Sequence, residues 1–125
     1  MRLLCYYNDI VTMLENRKSP RFSAMSHAKI PGIMDGNNLL MDISITGCRV
    51  KCKSTPNVKN GSKYQIDIDP EKVSHISSFQ LQVECKWIQT IGGLTELGFN
   101  ILASPKGKQF QNYVDFLEYI SRHPT

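Results

Sequence analysis

Two short clusters hold the residue types best suited to chemistry. The first is Arg17-Lys18-Ser19-Pro20-Arg21, in which three residues separate a pair of arginines. A guanidinium is planar, always charged and able to pair bidentately with an anion, whereas lysine offers only a point charge. The second is Asp42-Ile43-Ser44-Ile45-Thr46-Gly47, a DxSxxG pattern. An ionised carboxylate only accepts hydrogen bonds, and a hydroxyl both donates and accepts. The glycine lets backbone approach a ligand closely or take a positive φ. Each cluster also has an ordinary explanation. A basic run is commonly a solvated face, and DxSxxG suits a strand exit in which Asp and Ser bond local backbone.

The other reactive side chains do not assemble into a catalytic pattern. His27, His75 and His123 are scattered, with no nucleophile ordered beside them. Asp67 and Asp69 share one strand face and read as its solvated side. The chain contains neither GxxxxGK[ST] nor GxGxxG, so no phosphate cradle of those kinds is present. Cys5, Cys48, Cys52 and Cys85 form no CxxC pair and have no histidine at zinc-ligand spacing. Cys48, Val50 and Cys52 fall on one face of a period-2 strand, which marks core thiols. No enzyme activity, metal or cofactor is expected.

The elements that must hold the two clusters are mostly strands. A short helix fits residues 8–16, capped by Asn8, and the proline-broken basic run is an extended lead-in. Phe22 to Ile30 reads as a first strand. Pro31-Gly32 and Asp35-Gly36-Asn37-Asn38 read as turns flanking a short strand or loop. Leu39 to Ile45 forms the next strand, with a bend or bulge at Thr46-Gly47. Cys48 to Lys53 then alternates, with Arg49, Lys51 and Lys53 outward. Asn60-Gly61 turns the chain before Tyr64, Ile66 and Ile68, and 70–78 is a polar connection. Leu81, Val83, Cys85 and Trp87 alternate with Gln82, Glu84 and Lys86. A Gly92-Gly93 hairpin returns through Leu97, Phe99 and Ile101. Phe110, Tyr113, Val114 and Leu117 then take helical spacing. The expected fold is all-β: a small antiparallel barrel with a C-terminal helix covering an open end or side.

The two clusters, in this order and followed by this strand pattern, resemble the PilZ domain, a six-stranded antiparallel barrel that binds the bacterial second messenger cyclic di-GMP. The resemblance runs from about Asn16 to the end. It rests on RxxxR with Pro20 before the second arginine and on the full [DN]xSxxG motif. It extends to a strand ending in Trp87, to Gly98-Phe99 on the next strand, and to the terminal helix. It implies residues 1–15 as an N-terminal extension, helical or flexible, and 16–125 as the PilZ domain. Within that domain it implies a lead-in at 17–21, a barrel at about 22–103 and a helix at about 106–122.

By this resemblance Arg17 and Arg21 grip phosphate and guanine, while Asp42, Ser44 and Gly47 line the opposing barrel surface. The chemistry agrees. Arginine can pair with phosphate or with guanine O6 and N7, and Asp42 suits guanine N–H donors but not adenine's pattern. Ser44 would stand one strand step from Asp42 on the same face. Trp87 has two readings, a stacking platform for a base or a core residue continuing the inward face of Cys85. Arg49 and Lys51 are read as a solvated face, with added charge near the phosphates as the alternative, and Lys18 as an auxiliary phosphate contact. Asn16, just before the motif, leaves open whether one ligand or a stacked pair binds.

Composition sets the outer bounds. The chain has 125 residues, of which 41% are hydrophobic and 21% charged, enough for one core. Ten Lys/Arg against four Asp/Glu give residues 1–63 a net +6, while five against seven give 64–125 a net −2. A basic first half favours an anionic partner. The apolar stretch Leu3–Tyr7 is too short for a signal-peptide core, and no run approaches the roughly 18 apolar residues of a membrane span. A cytoplasmic location is expected.

The leading expectation is therefore a cyclic di-GMP receptor. The ligand draws the lead-in onto the barrel, moves residues 1–15 and exposes a surface that a partner protein reads. No second domain is evident, so the chain resembles a stand-alone adaptor, or a piece whose output domain lies in another polypeptide. The alternative is a PilZ-like protein-interaction module that ignores nucleotides. A nucleic-acid-binding barrel is disfavoured, because most aromatics point inward rather than interleaving with basic residues on an exposed face.

Overall fold

The computed structural model describes residues 20–104 and 107–123, with the side chains of 35–37 excepted. The expected helix at 8–16, Asn16, Arg17 and Lys18 lie outside the described residues. Among the described residues there are seven strands: β1 (Phe22–Ser23), β2 (His27–Ile30), β3 (Met34–Ile43), β4 (Gly47–Cys52), β5 (Lys63–Asp69), β6 (Phe79–Ile91) and β7 (Leu94–Ala103). One helix, α1 (Gln109–Arg122), follows.

All pairings are antiparallel, and the order around the sheet is β3-β2-β5-β6-β7-β4, closed by β4 pairing back to β3. The two-residue β1 lies further along the same edge of β3, at Phe22↔Ile43 and Ser23↔Asp42. Between β1 and β2 the chain stays bonded to β3, through Ala24 N–H to Met41 O at 3.1 Å and Leu40 N–H to Ser26 O at 2.9 Å. β1 and β2 are thus one interrupted strand, and the fold is a six-stranded antiparallel barrel with a C-terminal helix. Closure leaves none of the long unpaired edges that an open sheet of this size would expose.

The expected turn at residues 35–38 is a correction. Those residues belong to β3, and the chain reverses earlier, at Pro31-Gly32-Ile33, where Gly32 takes φ +81° and Ile33 N–H reaches Ile30 O at 2.9 Å. Pairing with β2 holds on both sides of residues 35–37, Met34 opposite Ile30 and Asn38 opposite Ala28, and these three are taken up as a register shift within the strand instead of reversing the chain. Asn38, buried, donates from Nδ2 to Ala28 O. The Gly92-Gly93 hairpin is as expected. Both glycines have positive φ, the requirement of a two-residue turn whose twist matches its strands.

Inside the barrel, period-2 alternation buries Cys48, Val50, Cys52, Ile66, Ile68, Leu81, Val83, Cys85, Leu97 and Phe99, and β3 adds Leu40 and Ile43, three positions apart. Cys48, Cys52 and Cys85 are free thiols. Burial pushes the Cys48 thiol up to about 12, with Asp42 adding to the rise and Arg21 opposing it, so it stays protonated at neutral pH. All four residues of the predicted helical stripe are buried: Phe110, Tyr113, Val114 and Leu117. The helix closes one end of the barrel, with Phe110 and Tyr113 at 5.9 and 5.8 Å from the Phe79 ring. The Tyr113 hydroxyl donates to Glu71 Oε1 in the connection before β6, at 2.5 Å.

Candidate functional site

Two β-bulges decide which side chains face out. In β3, Leu40 pairs with Val50 but Asp42 pairs with Arg49, so one extra residue, Met41, sits between the two pairs. Unbroken register would set Asp42 opposite Cys48, on the buried face. The bulge instead turns Asp42 outward beside Arg49. In β6, Cys85 pairs with Phe99 but Trp87 pairs with Gly98, again with one residue inserted. Unbroken register would put Trp87 opposite buried Leu97. The bulge brings it to the surface, 40% exposed. The reading of Trp87 as a core residue is thereby overturned, for a reason that period-2 alternation cannot anticipate.

Because Arg49 also pairs with Gly98, the two bulges align one continuous row across four strands: Asp42, Arg49, Gly98, Trp87. Three strand spacings separate its ends, about 14 Å of backbone. The indole lies over Gly98. A Cβ there would fall 2.2 Å from both Cε2 and Nε1 of Trp87, so only glycine leaves the ring its seat.

At the other end of the row, Arg21 arrives from the lead-in just before β1. Its Nη1 lies 3.2 Å from Asp42 Oδ1, while Arg49 Nη2 lies 3.0 Å from Asp42 Oδ2. Asp42 is thus gripped from both sides and only 17% exposed. Ion pairs at this depth are less screened than those in open solvent. Two motif residues do other work than the spacing suggested. Ser44 is not on the outward face of a strand, because β3 ends at Ile43 and the chain bends. Its buried hydroxyl accepts from Thr46 N–H at 3.2 Å and Gly47 N–H at 3.1 Å, shaping the bend. Gly47 has no positive φ. Its missing Cβ makes room instead, since that atom would lie 2.8 Å from Arg21 Nη2 and 2.9 Å from Phe99 O. The motif glycine therefore lets the Arg21 guanidinium pass over the strand to Asp42.

Arg49 and Lys51 are not simply solvated. Glu96 on β7 lies between them, with Oε1 3.6 Å from Arg49 Nη1 and Oε2 3.9 Å from Lys51 Nζ. Glu96 and the seat at Gly98 escaped the sequence reading. The available signal was Leu97 and Phe99 inward, which leaves both neighbours outward. Arg17 and Lys18 lie outside the described residues. Among those residues, no group of three or more His, Cys, Asp or Glu could hold a metal ion, and no helix is long and apolar enough to cross a membrane.

The arrangement offers two guanidiniums, a hydrogen-bond acceptor and an aromatic face on one outward surface. That combination suits a planar, anionic ligand. Comparisons with known proteins point the same way. The chain is similar in structure to the Bacillus subtilis inhibitor of motility, MotI/DgrA, with a TM-score of 0.72 at 16% identity. That match covers 89% of this chain but only 53% of MotI, so the chain spans about half of that protein's length. It is also similar to the PilZ domain of YcgR from Escherichia coli, solved with c-di-GMP. There the TM-score is 0.65 at 21% identity, over 86% of this chain and 95% of that one. No curated protein matches the sequence. The PilZ domain profile matches residues 15–117, most of the chain including both motifs, and the chain belongs to the PilZ family of non-catalytic receptor domains.

Proposed function

We propose that the chain is a cyclic di-GMP receptor that changes its N-terminal segment on binding and passes the signal to a partner protein. The observation that carries this reading is the outward row Asp42–Arg49–Gly98–Trp87 with Arg21 held above it. Three of these residues have a direct role toward a guanine nucleotide. Asp42 accepts hydrogen bonds from guanine N–H groups, Arg21 pairs with phosphate or guanine, and the indole offers a π-face to a base. Family membership supports the ligand, as does the similarity to a YcgR PilZ domain solved with c-di-GMP.

At rest Asp42 is neutralised by Arg21 and Arg49. A ligand that supplies N–H donors to Asp42 and phosphates to the arginines exchanges these internal pairs for intermolecular ones. Arg17, by the motif, joins from the lead-in. The ligand shifts the lead-in only as far as its affinity for the closed arrangement exceeds that for the open one. The partner is a protein that recognises residues 1–15 and the closed lead-in.

Calorimetric titration with cyclic di-GMP, with cyclic di-AMP and GTP as controls, tests the proposal. Saturable binding of cyclic di-GMP alone is the expected result. Absence of binding to any of the three would overturn it in favour of a protein-interaction module that ignores nucleotides.

A further inference from the structure

One strand step from Asp42–Arg49–Gly98–Trp87, toward the Gly92-Gly93 hairpin, a second outward row runs Leu39, Lys51, Glu96, Gln89. Glu96 is the acid of this row, and it reaches back to the first. Its two oxygens lie 3.6 Å from Arg49 Nη1 and 3.9 Å from Lys51 Nζ. Both separations exceed hydrogen-bond length, so charge rather than directional bonding holds these groups together.

Arg49 is drawn two ways, with Nη2 on Asp42 and Nη1 toward Glu96. Its Nε is buried with no hydrogen-bond partner. A buried donor left unpaired is unfavourable, so this resting position is not the one that best satisfies the guanidinium. Three cations, Arg21, Arg49 and Lys51, face two carboxylates, Asp42 and Glu96, in this cluster. The net +1 would be +2 without Glu96. Asp42 belongs to the ligand-recognition motif. Glu96 offers a guanine nothing that Asp42 does not, and it would repel each phosphate brought near.

We infer that Glu96 is an electrostatic brake on the site: it holds Arg49 and Lys51 in ion pairs at rest and lowers the affinity of the face for a dianionic dinucleotide. This regulation rests on the receptor function proposed above. Binding is then an exchange in which Arg49 and Lys51 leave Glu96 for phosphate. The brake weakens as salt screens it and vanishes when Glu96 carries no charge. Glu96 acts through its two cationic partners and is a positioning residue.

The test is calorimetric titration of the full chain and of Glu96→Gln with cyclic di-GMP, at about 50 and 300 mM salt, either side of the screening range. The same substitution in an Arg49→Gln/Lys51→Gln background completes a cycle. Glu96→Gln should tighten Kd about three- to tenfold at low salt, the scale of one or two exposed ion pairs. The gain should shrink at high salt and disappear in the Arg49→Gln/Lys51→Gln background, with the thermal midpoint unchanged. A purely structural role would weaken binding and lower that midpoint. Unchanged or weaker binding by both Glu96→Gln and Glu96→Ala, with the parent chain still binding, would overturn the brake and leave the receptor reading intact. The same tightening without Arg49 and Lys51 would also overturn it. No binding by any of the chains would remove both readings.

Discussion

Trp87 is the only tryptophan in the chain, so its fluorescence reports on the site without interference. Its seat can be perturbed without touching it, by Gly98→Ala. The added Cβ would lie 2.2 Å from Cε2 and Nε1 and 2.7 Å from Cζ2 of the indole. Carbon–carbon contacts settle at about 3.5–4.0 Å, so the ring must move about 1.3–1.8 Å. The half-exposed indole can do so toward solvent, which keeps the effect on stability within about 1–3 kcal/mol, the usual range for overpacking. The effect on the ligand should be of the same scale as that on the fold. Base–aromatic stacking contributes about 1–3 kcal/mol, so Trp87→Ala should weaken cyclic di-GMP binding about five- to 150-fold. Gly98→Ala should lose part of this, about three- to thirtyfold, because the platform remains but sits displaced. The assay is intrinsic fluorescence, with emission maximum and acrylamide quenching first, then quenching by ligand to give Kd. Gly98→Ala should shift emission to the red and increase acrylamide access. An unchanged spectrum would refute the seat, and unchanged affinity in Trp87→Ala would refute the platform.

Four further outcomes follow from the same geometry. Gly47→Ala places a Cβ against both Arg21 Nη2 and Phe99 O. It should destabilise the fold by about 1–3 kcal/mol in denaturant melts while displacing Arg21; retention of full stability and affinity would contradict the close approach. Asp42→Asn leaves Arg21 and Arg49 without their shared carboxylate and should lower selectivity for cyclic di-GMP over cyclic di-AMP more than it lowers phosphate binding. Equal loss for both ligands in calorimetry would argue against a guanine contact. Arg21→Ala and Arg17→Ala should each weaken binding about ten- to a hundredfold, the scale of one bidentate contact, and unchanged titrations in both would remove the lead-in from the site. The last outcome concerns pH. The Cys48 thiol is raised to about 12 by burial, from an ordinary value of 9.0. The unfolded chain therefore loses this proton first, and stability present below pH 9 should fall as pH rises from about 9 toward 12. The slope from this group is at most about 1.4 kcal/mol per pH unit. Melts of Cys48→Ala between pH 8 and 10.5 should show a shallower decline than the parent; parallel curves would exclude Cys48 as the source.

Much of the fold was legible because burial imposes a period. Leu81, Val83 and Cys85, and likewise Cys48, Val50 and Cys52, alternate because one face of each strand meets the core. Phe110, Tyr113, Val114 and Leu117 repeat at helical spacing because α1 buries one side. The paired glycines of the hairpin declared their turn through their freedom at positive φ. Asp35-Gly36-Asn37-Asn38 misled for the complementary reason: its residues favour turns locally, but the strand pairs with β2 at Met34 and Asn38 on either side, and the preference is absorbed in a register shift, not a reversal.

The sequence by itself determined the barrel, the closing helix and the two charged motifs that mark the candidate site, since residue type and spacing carry that information directly; Glu96, which belongs to neither motif, did not stand out. Only the tertiary structure decided which way Asp42 and Trp87 face. A bulge is one inserted residue whose position depends on the partner strand, and it leaves no trace in a single strand's alternation. Two of them, at Met41 and at Lys86, carry Asp42 and Trp87 from the core side to the surface and set them in one row. The same holds for close approach. That Gly47 yields space to Arg21, and Gly98 to Trp87, depends on atoms 26 and 11 positions away in the chain, brought together only when the barrel closes.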